Sequence, residues 1–368
     1  MNSHIPFSQI LDALKNDHTV HLPHLYRLSD MEAGEIHAFR AQWPTFSDER
    51  RRLIARHLVD ITSENYLVDF EQVFTLFLAD RDAPVRQAAL EGLWDSTHVR
   101  HVAPILRLLE TDEDNEVRAR GARTLGNYMF QSLCGLMPEH VAGTILPALL
   151  RVLESPDTAA VVRRSALESA SYAEDKRIDA FIWDAYDHGD YQMQVSALNA
   201  MGINGALRWL PTVLDELESP YEEMRLAAIR AAGHIGDVQA ITQLARLIEE
   251  EEYEIQAAAV AALAAIGGEV AERILLDMLE DPEMESLYEV IEESLDDVSW
   301  SNMLDDYPFW DMERGALLPE AEGDDEDDVY DDYEGDDDYG DDDAASDDDE
   351  FDDDELSYDE DFDEGDFA

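Results

Sequence analysis

Two groups of histidines have the spacing of a possible metal site. They are His18, His21 and His24, at intervals of three, and His98 and His101, which repeat that interval. Imidazoles at positions i and i+3 of one helix lie on the same face and can share a metal ion. Pro23 and the polar residues around it argue against a continuous helix through the first group. We therefore predict that these histidines are solvated and that the chain holds no metal.

Other arrangements typical of catalysis are missing from the sequence. Cys134 is the single cysteine, which excludes an intrachain disulfide and a zinc site built from several thiolates. We find no glycine-rich phosphate loop, no strand–turn–helix nucleophile motif and no recognisable Ser/His/Asp set. The sequence therefore predicts a protein that is not an enzyme and that needs no cofactor.

One arginine position recurs along the chain. Arg86, Arg118, Arg163 and Arg225 each follow an apolar residue, and Asp82 and Asp114 stand four residues before the first two. We interpret this pattern as a ladder of Asp/Arg pairs that tie the loops of adjacent units together. Recognition of a ligand by these guanidinium groups is the alternative.

Three further arginines are candidates for binding an anion. Arg120, Arg123 and Arg164 fall outside the apolar stripe of their predicted helices, and the stretch near 127–143 is inserted beside them. Guanidinium groups bind carboxylates and phosphates through paired hydrogen bonds. These residues are therefore predicted to form an anion-accepting patch.

The arginine groups within residues 1–177 also have a simpler interpretation. The three arginines could be neutralised locally by glutamates, namely Glu116, Glu154 and Glu168. A second basic cluster, formed by Arg50, Arg51, Arg52 and Arg56, is typical of a solvated helix face.

The elements that carry these residues repeat along the chain. Six segments share an acidic or polar turn, an apolar residue, Arg or Gln, and then small residues. The small residue four positions after the leading apolar residue is Ala89, Gly121, Ala166, Ala197, Ala228 or Ala259. Spacings of 32, 45, 31, 31 and 31 match a pair of helices with two turns. Small side chains at this position let neighbouring helices approach closely.

Other amphipathic stretches alternate with these segments. They are residues 102–109, 145–153, 178–186, 207–217, 238–248 and 270–279, with apolar residues at three-to-four spacing. Glycines follow the last apolar residue of several segments, at Gly126, Gly202, Gly236 and Gly267. This position predicts that each of these glycines ends a helix.

The repeated pattern resembles a known family. The segment Met224–Asp237 resembles a HEAT repeat of the short type named after phycobilisome lyases, and the resemblance covers about residues 70–297. It implies an all-α fold, a right-handed α-solenoid of HEAT-like helix pairs whose second helices line the concave side. Such arrays serve as adaptors, as scaffolds and in some cases as enzymes. Deoxyhypusine hydroxylases of this architecture hold iron through His-Glu dipeptides, and this sequence contains no such dipeptide.

The sequence divides into four parts. Residues 1–77 are predicted to form an atypical helical N-terminal cap, and residues 78–297 the HEAT-like array with its insertion near 127–143. The aromatic segment 298–319 is either a docked C-terminal cap or a loosely held linear motif. Residues 320–368 form a polyacidic tail, which we expect to be disordered because few aliphatic residues and strong like charge leave nothing to offset chain entropy.

Charge is distributed unevenly and limits the class of partner. The formal net charge is −62, and residues 320–368 hold 30 acidic residues and no Lys or Arg. Residues 178–319 carry −25, against −7 for residues 1–177. Such a field repels nucleic-acid phosphates and anionic membranes and attracts basic proteins. Because no apolar run is long enough to span a bilayer and no secretory leader is recognisable, we expect a cytoplasmic protein.

Aromatic residues are interspersed among the acids of the tail. They are Tyr330, Tyr333, Tyr339, Phe351, Tyr358, Phe362 and Phe367. Acidic residues alternating with aromatic ones suit dynamic contact with basic, partly apolar surfaces. The tail could capture a basic protein, mimic nucleic acid in a basic cleft, fold back on Arg120, Arg123 and Arg164, or serve only for solubility.

Together these observations predict a non-catalytic protein–protein interaction scaffold. We expect its curved face to grip a protein partner while the tail attracts basic segments, without direct binding of nucleic acid or membrane. Two alternatives stay open: an enzyme or enzyme accessory related to phycobilisome-lyase-type HEAT proteins, and a nucleic-acid mimic.

Overall fold

The computed structural model describes residues 5–29, 31–65, 67–250 and 252–305. These ranges contain eighteen α-helices and no strand, joined by short turns and 3-10 segments. The first four helices are α1 (Phe7–Asn16), α2 (Leu22–Tyr26), α3 (Ala33–Gln42) and α4 (Asp48–Glu64). The all-α prediction is confirmed for this part of the chain. The aromatic residues of the tail and most of segment 298–319 lie outside the described residues.

From residue 71 onward the helices come in pairs, each with an odd-numbered first helix and an even-numbered second helix. The first helices are α5 (Glu71–Phe77), α7 (Val102–Thr111), α9 (His140–Glu154), α11 (Lys176–His188), α13 (Leu210–Glu216), α15 (Ile241–Glu250) and α17 (Gly268–Leu279). The second helices are α6 (Ala83–Gly92), α8 (Asn115–Leu133), α10 (Ala160–Ala170), α12 (Tyr191–Asn204), α14 (Glu222–Ile235), α16 (Tyr253–Ile266) and α18 (Tyr288–Asp305).

The packing of these helices is that of a solenoid. Within the described ranges, each first helix packs on its own second helix, and each second helix packs on the next from α6 through to α18, while α4 packs on α6. Stacked pairs of this kind bury one continuous core that no single pair could bury alone. The solenoid predicted from the repeat is confirmed.

Small residues sit where the second helices meet. The six small residues that mark the repeat are all buried. Gly126 and Gly202, predicted to end helices, instead lie inside α8 and α12. A Cβ atom on Gly126 would stand 3.0 Å from the Ser169 Cα, and one on Gly202 would stand 2.6 Å from the Ala231 Cα. The prediction was wrong for these two positions because glycine there permits close approach of neighbouring second helices.

Glycines with a positive φ end three of the second helices. Gly205, Gly236 and Gly267 follow α12, α14 and α16 with φ of 67°, 72° and 66°. An L side chain rarely adopts this conformation, so glycine is required there. The prediction is confirmed for Gly236 and Gly267. The glycine that ends α12 is Gly205 and not Gly202.

The additional residues of the second unit lie mostly in helix. α8 continues to Leu133 and α9 begins at His140, which leaves a short connection at 134–139. At the other end of the array, the backbone of α18 is described as far as Asp305. None of the described helices is long and apolar enough to cross a membrane.

Candidate functional site

A groove of about 780 Å³ crosses α4 and the second helices α6 and α8. Its apolar lining consists of Leu53, Val59, Pro84 and Ala88. Its polar and charged lining consists of Gln87, Glu49, Arg52, Arg56, Asp60, Glu91 and Arg120. Three arginines face three carboxylates, so the groove is close to neutral and has an apolar floor.

Carboxylates hold two of the groove arginines in place. Arg52 donates through Nε to Asp82 Oδ1 at 2.9 Å and through Nη2 to Asp82 Oδ2 at 2.6 Å. The hydrogen bond from Arg52 lowers the pKa of the Asp82 carboxyl. Arg120 of α8 donates to Glu91 at the end of α6. Each pair therefore joins one second helix to the neighbouring unit.

The three predicted patch residues do not share one site. Arg120 lines the groove, and its carboxylate partner is Glu91 rather than one of the glutamates considered from the sequence. Arg123 is exposed on α8, and Arg164 is half-buried on α10. Neither lines the groove.

The second basic cluster is divided by the fold. Arg52 and Arg56 are exposed and line the groove, so the structure brings them together with Arg120. Arg51 is fully buried, and Arg50 donates to the main-chain carbonyl of Asp17. The prediction of a solvated helix face was therefore wrong for Arg51, because Arg51 lies on the buried stripe of α4 together with Ile54, Ala55, Leu58 and Ile61.

The Asp/Arg ladder exists between two adjacent pairs, with a different acceptor from the one expected. Arg86 donates from Nε and Nη2 to the two carboxylate oxygens of Asp112, both at 2.7 Å. Asp114 instead accepts from the main-chain N–H groups of Glu116 and Val117 at the start of α8. A carboxylate at this position stabilises the free N–H groups of a helix start.

In later units the recurring position binds the main chain. Donor and carbonyl pairs are Arg118 with Leu109 (2.9 Å), Arg163 with Ser155 (2.8 Å), Gln194 with Tyr186 (2.9 Å), Arg225 with Ser219 (3.0 Å) and Gln256 with Ile248 (2.7 Å). Each donor lies on a second helix, and each acceptor lies at or just beyond the end of the preceding first helix. The ladder prediction was wrong for Arg118 and Arg163, because their side chains cross-link the two helices of one pair.

His101 is a structural residue of the second unit. It is fully buried, which contradicts the prediction that it is solvated. Its Nδ1 lies 2.9 Å from Ser96 Oγ, and its Nε2 lies 3.0 Å from Thr75 Oγ1. Burial lowers the pKa of His101 to about 4, so the imidazole is neutral at neutral pH. Because hydroxyl groups engage both ring nitrogens, this cluster holds the fold together and presents no free nucleophile.

The remaining histidines are spread over separate elements. His21 and His24 lie at the start and within α2, with ring centroids 5.8 Å apart, while His18 precedes that helix. His98 Nδ1 lies 2.9 Å from Glu71 Oε2. Among the described residues, no group of three or more His, Cys, Asp or Glu side chains is arranged to hold a metal ion.

Several solved structures have a similar fold. The complex of CpcE and CpcF of phycocyanin lyase from Nostoc sp. PCC7120 is 19% identical, with 62% of this chain and 94% of that chain covered and a TM-score of 0.44. YibA of Escherichia coli is 13% identical over 80% of this chain and 95% of that chain, with a TM-score of 0.37. Human deoxyhypusine hydroxylase in complex with glycerol is 15% identical over 79% and 94%, with a TM-score of 0.29. Similarity at this level concerns the fold alone.

Sequence comparison identifies the repeat itself. No curated protein sequence matches the chain. The family model described as HEAT repeats matches residues 71–171 and 210–296, which together make up more than half of the chain. Those ranges contain α5–α10, α13–α17 and the first half of α18, and most of the buried small residues and repeated side-chain-to-carbonyl bonds lie within them. The chain therefore belongs to the HEAT-repeat family.

Proposed function

We propose that this chain is a non-catalytic, cytoplasmic scaffold that binds a protein partner through its second helices, while its acidic tail attracts basic partners. The groove between α4, α6 and α8 is the recognition site, and Arg123 and Arg164 extend the contact surface along α8 and α10. The observation that carries this proposal is the groove itself, which combines an apolar floor with charges of both signs on an array of packed helices.

The chemistry of the groove favours a peptide segment as its occupant. Leu53 is 41% exposed and offers an apolar contact, while Arg56 and the Arg120–Glu91 pair offer charged contacts on either side. Apolar contacts at the centre of an interface supply most of the binding energy, and surrounding charges provide specificity. A balanced set of charges suits a partner segment of mixed charge better than it suits the polyanionic tail of the same chain.

The tail has a separate role in this proposal. Residues 320–368 carry 30 acidic side chains without a balancing Lys or Arg, and residues 178–319 add a net charge of −25. A field of this size accelerates encounter with basic proteins, and salt screens it over about 8 Å at physiological ionic strength. Attraction by the tail should therefore weaken as salt is added, whereas contacts in the groove should persist.

A matched pair of double variants tests the groove. Leu53→Glu with Arg56→Glu changes two exposed groove residues, and Leu207→Glu with Arg230→Glu makes the same changes at exposed positions elsewhere. Proteins captured from lysate by the full chain are compared at low and moderate salt. We expect a partner that survives moderate salt to be retained by the control variant and lost from the groove variant.

The same capture experiment distinguishes the proposed function from the alternative functions. Equal capture by both double variants would contradict the groove as the recognition site. Basic proteins that are captured at low salt by the full chain but not by residues 1–319 support the role of the tail. A stoichiometric chromophore or metal in the purified protein would favour an enzyme accessory, and competition by DNA for a captured partner would favour nucleic-acid mimicry.

A further inference from the structure

Three exposed tyrosines lie at the starts of the second helices of consecutive units. Tyr191 is the first residue of α12, Tyr221 directly precedes α14, and Tyr253 is the first residue of α16. Their side chains are 37%, 61% and 49% exposed. The rings of Tyr191 and Tyr221 lie edge to face, with centroids 5.6 Å apart. These three residues form an aromatic row along the turns between first and second helices, which we call the tyrosine edge.

Carboxylates surround the rings of the tyrosine edge. The exposed acidic residues next to the three tyrosines are Asp190, Glu222, Glu223, Glu252 and Glu254. Glu223 is held beside Tyr191, because Gln192 Nε2 donates to its Oε2 at 2.9 Å. Arg225, the nearest cationic side chain in sequence, donates to the main-chain carbonyl of Ser219 and is only partly exposed. The tyrosine edge is therefore aromatic and negatively charged.

A cleft continues this surface at the α12 end. It has a volume of about 350 Å³ and lies between the turn after α9 and the turn before α12. Leu153, Phe181 and Met193 supply an apolar lining, and the charged lining consists of Asp184, Asp190 and Arg163, with His188 beside them. Asp190 directly precedes Tyr191, so the cleft and the aromatic row adjoin.

We infer that the tyrosine edge binds an extended, Lys/Arg-rich segment of a partner protein. Cations bind the faces of aromatic rings, and the neighbouring carboxylates neutralise the charge of the segment. The apolar side of the cleft beside Tyr191, formed by Leu153, Phe181 and Met193, accepts one uncharged side chain at the end of that segment. This inference rests on the basic partner of the proposed function and assigns it a place on the folded array. The chain's own tail is repelled from this surface by its charge.

The spacing of the helices defines the spacing of the cations. α12, α14 and α16 pack directly on one another, and packed helices have axes about 8–10 Å apart. A peptide in the polyproline II conformation has three residues per turn and advances about 3.1 Å per residue, so every third side chain lies on the same face, about one helix spacing further along. A segment with Lys or Arg at every third position would place one cation on each ring.

Two peptides of equal composition test this geometry on the full chain. One carries Arg at every third position between Gly and Ser, the other carries the same arginines in one block, and both bear a photoreactive group. Affinity is measured at moderate salt for the wild type, for Tyr191→Ala/Tyr221→Ala/Tyr253→Ala and for the corresponding triple Phe variant. We expect the spaced peptide to bind the wild type and the Phe variant alike, and the Ala variant about ten- to a hundred-fold more weakly, since each of the three exposed rings contributes a factor of about two to five.

Cross-links formed by the spaced peptide on the wild type provide a second measurement that does not depend on the folding of a variant. We expect them to fall within residues 184–254. Equal affinity of the Ala variant and the wild type, or cross-links confined to residues 320–368, would overturn the tyrosine edge while leaving attraction by the tail intact. Failure of every basic peptide to bind the full chain would overturn the basic partner of the proposed function as well.

Discussion

Arg51 and Asp80 form a buried ion pair that joins α4 to the turn after α5. Arg51 Nη1 lies 2.6 Å from Asp80 Oδ2, and each side chain is only 2% exposed. Trp43 Nε1 donates to the same oxygen at 2.7 Å, and the Trp43 ring stacks on Phe77 at a centroid distance of 4.4 Å. The N-terminal helices are therefore attached to the first pair by a buried polar network as well as by aromatic packing.

Loss of the Asp80 charge should destabilise the fold strongly. Asp80→Asn keeps the shape of the side chain but leaves the buried Arg51 guanidinium without its main counter-charge. Removing one partner of a buried pair costs about 3–5 kcal/mol. We expect a large decrease in the urea midpoint followed by circular dichroism.

Asp48→Asn is the matched control for this prediction. Asp48 also binds Arg51, at 2.7 Å, but its side chain is 51% exposed. Exposed pairs contribute about 0–1 kcal/mol. Equal shifts of the midpoint for the two variants would show that the buried Arg51–Asp80 pair stabilises the fold no more than the exposed Asp48 does.

The stability of the fold should depend on pH through His101. The pKa of His101 is about 4 in the folded chain, below the ordinary value of about 6.5 in an unfolded one. As pH falls, the unfolded state binds a proton first, so stability is complete above pH 6.5 and is lost between pH 6.5 and 4. The loss amounts to about 3 kcal/mol.

His101→Gln removes this titration and His188→Gln serves as control. Unfolding free energy is measured from pH 7.5 to 4.5 for both variants and the wild type. We expect the difference between wild type and His101→Gln to shrink on acidification, while His188→Gln, at an exposed position, follows the wild type. A constant difference across the range would contradict the assignment.

Close helix contact at Gly202 should make this position intolerant of a side chain. A Cβ there would stand 2.6 Å from the Ala231 Cα, so α12 and α14 would have to separate. Overpacking of this kind costs about 1–3 kcal/mol. Gly143 also lies within a helix, α9, but a Cβ there meets nothing within 4 Å.

Thermal unfolding of the two variants gives a direct comparison. Gly202→Ala should lower the midpoint. Gly143→Ala should raise it slightly, because alanine is favoured over glycine in a helix by about 1 kcal/mol. If both variants shift the midpoint upward, α12 and α14 are not in close contact at Gly202.

The recurring Arg/Gln position should accept either of these residues but not an apolar one. Arg118 donates through Nε to the carbonyl of Leu109, as Gln194 and Gln256 donate to carbonyls in their own pairs. Arg118→Gln should therefore change the free energy of unfolding by less than about 0.5 kcal/mol, while Arg118→Met should lower it by about 1–2 kcal/mol. The free energy of unfolding is measured in urea. An equal decrease in the two variants would show that the hydrogen bond to the carbonyl does not stabilise the fold.

The length of the repeat also indicates which charged residues form ion pairs with each other. Arg51 and Asp80 are 29 residues apart, Arg52 and Asp82 are 30 apart, and Arg120 and Glu91 are 29 apart. These separations are close to one repeat, so opposite charges about 30 positions apart are candidates for neighbours in adjacent units. This separation alone predicts that Arg52 pairs with Asp82 and that Arg120 pairs with Glu91.

The sequence by itself determined the helical class, the pairing of helices and the family. Apolar spacing and small residues are local signals, since each helix must bury one stripe and each contact between second helices has little room. Ala228, for example, could be placed in the core from its repeat position alone.

Only the tertiary structure decided which polar groups meet and which are buried. Arg51 and Arg52 are adjacent in sequence, yet one lies in the core and the other lines the groove. His101 is buried because Ser96 and Thr75, from two different segments, supply hydroxyls to its ring. Such outcomes depend on how the helices stack, because a polar side chain can be buried only where another element brings it a partner.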